Sequence, residues 1–257
     1  MKVERVVQLK NNFYDVYFSD QSKLKVHEES LVKYELLPGR IISKDILDDI
    51  KTSIEFDRAY IKAIQYISYK IRSTQEVIDY LKDEYAVDII NQTIIRLKEE
   101  RYIDDSHYAT SLSNTIFNTT DKGPKHLERK LFEKNIDENI IVEEVERFND
   151  KVDEGRIERI TQKELKKYKG SSNHFEMKLR QKLMRDGYTN AHFDFIPSDI
   201  QFDDTDYFEK EFEKYYNRLK RKYEGFQLRQ KLTASLMRRG FSYDQINEKL
   251  EGIEDEF

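Results

Sequence analysis

Residues 122–136 read KGPKHLERKLFEKNI, and the rest of the chain can be aligned on this stretch. A Lys-Gly-Pro opening is followed by Leu127 and Leu131, then by a short polar break and the apolar Ile136. Proline suits the first turn of a helix, because the N–H that it lacks would be unpaired there. Apolar residues four apart share one helix face. The stretch therefore predicts a helix that begins at Pro124 and ends near the break.

The same arrangement recurs about every fifty residues. Its second leucine stands at positions 81, 131, 183 and 236, and an aliphatic residue precedes each of them by four positions. Three of the breaks that follow are similar: Glu-Lys-Asn at 133–135, Arg-Asp-Gly at 185–187 and Arg-Arg-Gly at 238–240. A fixed period marks a repeat architecture, in which each unit buries its apolar face against its neighbours. We therefore predict a mainly α-helical protein, an elongated array of three-helix, helix-turn-helix-like repeats.

The N-terminal region lacks this period. Three short segments between residues 3 and 27 alternate apolar and polar residues, and two polar turn sequences separate them. Alternation with period two predicts strands, so we expect a small antiparallel meander. A short helix over 29–36 and another over 45–50, capped by Ser43, are expected to follow. The predicted domains are a small β-containing domain at 1–54 and three-helix repeats at 55–103, 104–152, 153–200 and 206–257, with a linker at 197–206.

Composition excludes several kinds of site. The 257 residues include no cysteine, which rules out disulfides and cysteine-ligated zinc. The five histidines show no HExxH spacing, and no GxSxG, GxGxxG or P-loop sequence is present. We therefore expect no metal and no other cofactor, and predict that the protein is not an enzyme. Without a signal-peptide pattern or a membrane-length apolar run, we also expect a soluble, cytoplasmic protein, free of membrane and monomeric.

The net charge of -5 conceals two basic windows. Residues 156–185 hold ten Lys or Arg against three Glu, as do residues 210–239, so each window carries +7. Residues 51–150 carry -5. Basic windows favour contact with phosphates. The alternative is that these charges simply cover solvated helix faces.

The charge recurs in register between the third and fourth repeats. Lys178 corresponds to Lys231 and Arg185 to Arg238, each pair 53 residues apart. Recurrence in register predicts a continuous basic stripe, which would neutralise DNA phosphates without reading base sequence. The predicted DNA- or filament-binding residues are Lys166, Lys167, Lys169, Lys178, Arg180, Lys182, Arg185, Lys220, Arg221, Lys222, Arg229, Lys231, Arg238 and Arg239.

Helix starts account for other polar residues. Ser73 is expected to cap the second helix of the first repeat. Asp105 is expected to cap the first helix of the second repeat, with Ile103 packing back onto it. For the helix that opens at Lys122, an alternative is an anion held by free N–H groups beside Lys122 and Lys125.

Three motifs, in this order and spacing, resemble the signature of the RecX family, bacterial regulatory proteins that modulate the recombinase RecA. They are Ile71-Arg72-Ser73-x-x-Glu76-Val77, Tyr102-Ile103-Asp104-Asp105-x-x-Tyr108-Ala109 and Lys122-Gly123-Pro124-x-x-Leu127-x-x-x-Leu131. The resemblance is firm over 57–150 and looser over 153–252, and residues 1–50 fall outside it. The family usually has glycine where Asn135 stands. Because asparagine is the next-best residue for a left-handed helix terminus, we expect the turn to persist.

This resemblance implies a non-enzymatic regulator whose repeats lie in the groove of the RecA–DNA filament. It implies inhibition of filament assembly, ATP hydrolysis, strand exchange and co-protease activity, with roles in recombination, DNA repair and the SOS response. The implied partners are the RecA filament and single- and double-stranded DNA. Two alternatives stay open from the residues themselves. One is a DNA-binding protein of tandem helix-turn-helix type, sequence-tolerant or specific, and the other is a protein-only helical scaffold without DNA affinity.

Overall fold

A computed structural model describes residues 1–198, 200 and 203–252 of the chain. The last five residues of the predicted fourth repeat, and residues 199, 201 and 202 of the predicted linker, lie outside the described residues. The strands are β1 (Val3–Gln8), β2 (Phe13–Phe18) and β3 (Lys23–His27). The α-helices are α1 (Glu28–Lys33), α2 (Lys44–Ser68), α3 (Thr74–Leu81), α4 (Val87–Glu99), α5 (Asp105–Thr119), α6 (Pro124–Phe132), α7 (Glu138–Asp150), α8 (Glu154–Leu165), α9 (Ser172–Asp186), α10 (Thr205–Leu219), α11 (Gly225–Met237) and α12 (Tyr243–Glu251).

The predicted meander is confirmed. The strands pair antiparallel in the order β1-β2-β3. Asn11 and Asn12 have φ of 59° and 58° at the first turn, a left-handed conformation that asparagine tolerates. One face of the sheet buries Val16, Phe18 and Val26 against residues of the following helices. A three-stranded sheet needs this apolar cover for stability.

Ser43 caps α2 as predicted, accepting a hydrogen bond from the N–H of Ile46. The helix is 25 residues long, so it continues across the predicted domain boundary between residues 54 and 55. It belongs to two cores: Ile50 and Ile54 pack under the sheet, while Ala63 packs in the first repeat. The sequence of α2 contains neither glycine nor proline, so nothing in it interrupts the helix.

The leucine pattern of the repeats forms the cores. Each of the four aliphatic-leucine pairs is at most 2% exposed, and the pairs are Val77/Leu81, Leu127/Leu131, Leu179/Leu183 and Leu232/Leu236. In the first repeat, Val77 and Leu81 pack with Leu97 of α4. In the fourth, Leu232 and Leu236 pack with aromatic residues of α10 and apolar residues of α12. The predicted helical repeat is therefore present at these positions.

The third repeat ends differently from the others. Its third helix is a six-residue 3-10 helix, Asn190–Phe195, and not an α-helix. The next residue, Ile196, is extended, with ψ of 124°. Proline at position 197 disfavours helical backbone at the residue before it. The segment is therefore too short for a full α-helix.

Packing divides the chain into two compact units. Unit 1 contains Met1–Leu112 and Lys130–Ile141, and unit 2 contains Ser113–Arg129 and the chain from Val142 onward. The division passes through α5, α6 and α7, so it does not follow the motif-based limits of the second repeat. Those limits stay a prediction from sequence. Within the described ranges, no helix combines the length and apolarity that crossing a membrane requires.

The start of the second helix in each of the first three repeats is hydrogen bonded by a residue of the next repeat, or of the segment just before it. We call this contact a junction. In unit 1, the N–H and the hydroxyl of Thr74 donate to Asp105 at 2.8 and 2.6 Å. In unit 2, the N–H of Gly123 donates to the Asp186 carbonyl at 2.8 Å. The N–H of Ser172 donates to Asp204 at 2.7 Å. Each junction pairs N–H groups that have no partner inside their own helix.

The junction in the middle of unit 2 brings two backbones very close together. Gly187 has φ of 99°, and a Cβ built there would lie 2.6 Å from the backbone nitrogen of His126. A Cβ on Gly123 would lie 2.7 Å from the carbonyl carbon of Gly187. No side chain fits at such distances without moving the backbone. Both glycines are therefore required by the same contact.

Gly187→Ala is expected to lower the free energy of unfolding by about 3 kcal/mol. Alanine is strained at positive φ, and its Cβ would also clash with the backbone of His126. Gly225→Ala, in the same unit, is the matched control. Gly225 has φ of 52°, but a Cβ there meets nothing within 4 Å, so we expect a loss of about 1 kcal/mol. Urea denaturation of both variants measures the difference. Equal losses would mean that the close approach at the junction does not matter.

Candidate nucleic-acid interface

Most residues of the family-like motifs are structural. Asp104 precedes α5 and accepts a hydrogen bond from the N–H of His107 at 2.9 Å, so Asp104 caps this helix. The prediction that Asp105 caps it is wrong. Asp105 is the first helical residue, and its carboxylate instead accepts two hydrogen bonds from Thr74. Ile103 is buried as expected, at 3% exposure.

The Arg72-Ser73 motif starts α3. Ser73 forms a complete capping box with Glu76, which confirms the predicted cap. The Arg72 guanidinium lies 3.9 Å from the centre of the Tyr66 ring and 4.0 Å from the Glu76 carboxylate. Burial raises the pKa of the Tyr108 hydroxyl, which lies beside Glu76. These side chains are packed against one another and have little surface left for a partner.

The Lys122-Gly123-Pro124 motif leaves no free anion site. The N–H of Gly123 and that of Lys125 already donate to carbonyls of residues 186 and 187. The alternative of an anion held by this helix start is therefore wrong. Lys122 forms an ion pair with Asp186 at 2.8 Å. Burial raises the pKa of the Asp186 carboxyl, but Lys122 and Lys182 outweigh burial and hold that pKa below its ordinary value.

One arginine of the first basic window is unavailable to a partner. Arg156 is 2% exposed. Its guanidinium donates to the Tyr188 hydroxyl at 2.9 Å and to the carbonyls of Phe117, Thr120 and Lys122 at 2.8 to 3.0 Å. It therefore fastens α8 to the segment before α6. Sequence counting of charges gave no sign of this role.

Four predicted cations line one groove between α8 and α9, a cavity of about 380 Å³ that we call the basic groove. They are Lys167, Lys178, Lys182 and Arg185, and the groove is also lined by Tyr168, Phe175 and Glu164. The tertiary fold thus brings together cations that are up to 18 positions apart in sequence. Only Glu164 among the lining residues is acidic.

The cations of the basic groove differ in whether a carboxylate or an aromatic ring of the protein already contacts them. Lys182 is paired with Asp186 and lies 3.9 Å from Glu164. The ammonium of Lys178 lies 5.3 Å from the centre of the Tyr168 ring. Lys167 and Arg185 are exposed, and no carboxylate of the described chain pairs with either.

Other predicted residues lie outside the basic groove. Lys166 and Lys169 are exposed at the end of α8 and in the turn that follows. Arg180 donates to Glu176 at 2.8 Å and lies 5.4 Å from the Phe193 ring, in a different cavity.

The cations of the fourth repeat are spread over several elements. Arg229 donates to Asn247 of α12 at 2.7 Å, whereas Arg239 donates to the Tyr215 hydroxyl of α10 at 3.0 Å. Arg238 donates to a carbonyl of its own helix. Of the predicted cations in this part of the described chain, Lys220, Arg221, Lys222 and Lys231 are exposed, and their side chains form no internal hydrogen bond. The ammonium of Lys220 lies 4.8 Å from the centre of the Tyr216 ring. A continuous stripe through both repeats stays a prediction.

The basic groove can bind phosphates. Lysine and arginine side chains that lack a carboxylate partner are available for charge-assisted hydrogen bonds. Tyr168 adds an aromatic surface beside them. This combination suits a nucleic-acid backbone better than an apolar ligand, because four cations and one carboxylate line the groove.

Comparison with known proteins gives consistent matches. The family model described as "RecX, first three-helix domain" matches residues 59–97, and "RecX, third three-helix domain" matches residues 203–250. The regulatory protein RecX of Staphylococcus haemolyticus (strain JCSC1435) is 32% identical over 265 residues, which cover 99% of each chain. The regulatory protein RecX of Staphylococcus aureus (strain JH9) is 33% identical over 258 residues, which cover 97% of this chain and 95% of its own.

Two solved structures share the fold. A crystal structure of regulatory protein RecX superposes with a TM-score of 0.69 at 24% identity, covering 76% of this chain and 98% of its own. A crystal structure of RecX from Lactobacillus salivarius superposes with a TM-score of 0.52 at 30% identity, covering 55% of this chain and 92% of its own. Both support the mainly helical fold.

Lys122→Met is expected to destabilise the protein at pH 7, because Asp186 loses one of its two ammonium partners. The depressed pKa of Asp186 adds stability above the unfolded pKa of about 3.9 and loses it as pH falls through the folded value. The difference in unfolding free energy from wild type should therefore shrink below about pH 4. Lys151→Met is the control, since Lys151 bonds only the neutral amide of Asn114. A Lys122→Met difference that stays constant with pH would contradict the ion-pair account.

Proposed function

Because this chain belongs to the RecX family of regulatory proteins, we propose that it regulates a bacterial RecA recombinase by binding the filament that RecA forms on DNA. The regulation is exerted by binding and involves no catalytic step. Its outcome is reduced filament assembly, ATP hydrolysis and strand exchange.

The basic groove is the observation that supports DNA contact. Lys167 and Arg185 offer charges that no carboxylate of the described chain neutralises, and Lys178 stands over an aromatic ring at the rim. A filament regulator must act on filaments of any sequence, and phosphate contacts carry no sequence information. A groove of lysine and arginine fits that requirement.

The acidic middle of the chain suits the protein side of the filament. Residues 51–150 carry -5, in contrast to the two basic windows. Complementary charge steers association and discriminates between partners. We therefore assign protein contact to the first two repeats and DNA contact to the third and fourth.

Charge reversal tests the basic groove. In the triple variant Lys167→Glu, Lys178→Glu and Arg185→Glu, affinity for single-stranded DNA should fall at least tenfold, since three phosphate contacts are lost. The slope of log K against log salt concentration should become shallower by roughly 2. Fluorescence anisotropy with a labelled oligonucleotide measures both quantities.

The control variant makes the same charge change elsewhere. Lys44→Glu, Lys125→Glu and Lys210→Glu alter exposed lysines that lie outside the predicted set. Affinity should fall much less than in the groove variant. If both triple variants lose affinity equally, net charge alone accounts for binding, and the groove assignment is wrong.

The RecA ATPase test addresses the regulation itself. We expect the protein to inhibit the single-stranded-DNA-dependent ATPase of RecA at ratios well below one molecule per RecA protomer. This result is expected because one bound regulator can affect many protomers of a polymer. Absence of inhibition with DNA saturating and salt low would favour a DNA-binding protein that acts elsewhere. Absence of both inhibition and DNA affinity would favour a protein-only scaffold.

A further inference from the structure

The outward face of the N-terminal sheet carries cations and aromatic rings together. The register pairs Tyr17 of β2 with Arg5 on one side and Lys23 on the other. Cross-strand partners share a face, and so do residues two apart along a strand. The outer face, as we call it, therefore consists of Arg5, Val7, Phe13, Asp15, Tyr17, Lys23, Lys25 and His27. The His27 ring packs against the Phe13 ring in a T-shaped arrangement, with 5.3 Å between the ring centres.

The cations of the outer face lie over its rings. The guanidinium carbon of Arg5 is 4.4 Å from the centre of the Tyr17 ring, and the ammonium of Lys25 is 4.8 Å from that of Phe13. Arg5 and Lys25 are exposed, and both rings are half-buried. Within the described residues, neither Arg5 nor Lys25 forms an ion pair with a carboxylate.

The acidic group of this face is already neutralised. The carboxylate of Asp15 lies 3.1 Å from the ammonium of Lys23, and its side chain is 13% exposed. It therefore presents little negative charge to an approaching ligand. Arg5 and Lys25 give the outer face its net positive charge.

We propose that the outer face binds single-stranded DNA, with bases stacked on Tyr17 and Phe13 and phosphates bound by Arg5 and Lys25. The two rings are four residues apart on β2, so they stand about 13 Å apart along the strand. Aromatic rings on an open sheet can stack unpaired bases, with neighbouring cations holding the backbone. Stacking needs bases that are not paired, which favours a single strand over a duplex.

The chemistry of the face favours DNA over an acidic protein segment. An acidic peptide would use the cations but gain little from the rings, whereas every base presents a π-face. The choice of DNA over RNA rests on the proposed function. The residues, however, are different ones: the outer face belongs to unit 1 and the basic groove to unit 2.

Photocrosslinking of the full chain tests this site. The probe is an oligodeoxythymidine that contains 5-bromodeoxyuridine, with crosslinked peptides mapped by mass spectrometry. We expect crosslinks at Tyr17 or Phe13. The double variant Phe13→Leu and Tyr17→Leu keeps apolar side chains at both positions. In it, the yield of crosslinks to the peptide that contains these two residues should fall at least about fivefold. Crosslinks confined to other parts of the chain would overturn the proposal.

Two controls check that a loss of crosslinks is specific to the outer face and is not caused by unfolding. Lys44→Gln removes an exposed lysine outside the sheet and should leave the crosslinks at the outer face unchanged. Urea denaturation of the leucine double variant should show that it remains folded; if it unfolds, Arg5→Gln with Lys25→Gln provides the same test. Equal yields from the wild type and the charge variant would again count against the proposal.

The basic-groove triple variant separates this proposal from the proposed function. If this variant keeps the crosslinks at the outer face while its affinity for DNA falls, the results support both binding sites. If the affinity of this variant for DNA is unchanged and the crosslinks at the outer face remain, the assignment of DNA binding to the basic groove is wrong and the outer-face site is supported. A last experiment uses polyglutamate as a competitor for DNA. If polyglutamate displaces DNA equally well from the wild type and from the leucine variant, the outer face is a site for acidic peptides, and the proposal is wrong.

Discussion

The N–H groups at the start of a helix have no partner within that helix, and in this protein the next repeat supplies the partner. Asp105 serves this purpose for α3, and Asp204 for α9. In α6 the first residue is Pro124, which has no N–H, and the following N–H reaches the carbonyl of Gly187. Each of these second helices therefore depends on a residue 31 to 62 positions further along the chain. Such nearest-neighbour dependence is what makes a repeat array cohesive.

The junctions explain why the motif residues occur together. Asp104 caps its own helix while its neighbour Asp105 satisfies the preceding repeat, so two adjacent aspartates serve two different helices. Gly123 is required because its backbone touches that of Gly187. At the equivalent turn, Asn135 adopts φ of 50°, and its side-chain amide donates to Gln75 across the junction. Asparagine thus provides both the left-handed turn and a hydrogen bond that glycine lacks.

If the residues of the motifs maintain the junctions, binding of a partner depends on residues outside the motifs. The basic groove between α8 and α9 and the outer face of the sheet contain none of the motif residues. Both surfaces combine cations with aromatic rings, and neither requires a fixed base sequence. In the proposed function, the residues of the motifs build the array, and dispersed surface charges bind DNA of arbitrary sequence.

Sequence alone determined the meander, the helical repeat and its buried leucines, because strand alternation and helical periodicity are local patterns of burial. It also determined where α2, α3 and α6 begin, since the caps Ser43 and Ser73 act within four residues and proline suits the first helical turn. Tertiary structure alone decided that Asp105 bonds another repeat, that Arg156 is buried, and that α2 serves two cores. It likewise decided which cations of a basic window share a groove and which are held by neighbouring acids. The reason is physical: these outcomes depend on distances between residues far apart in the chain, and charge or periodicity within a segment carries no information about those distances.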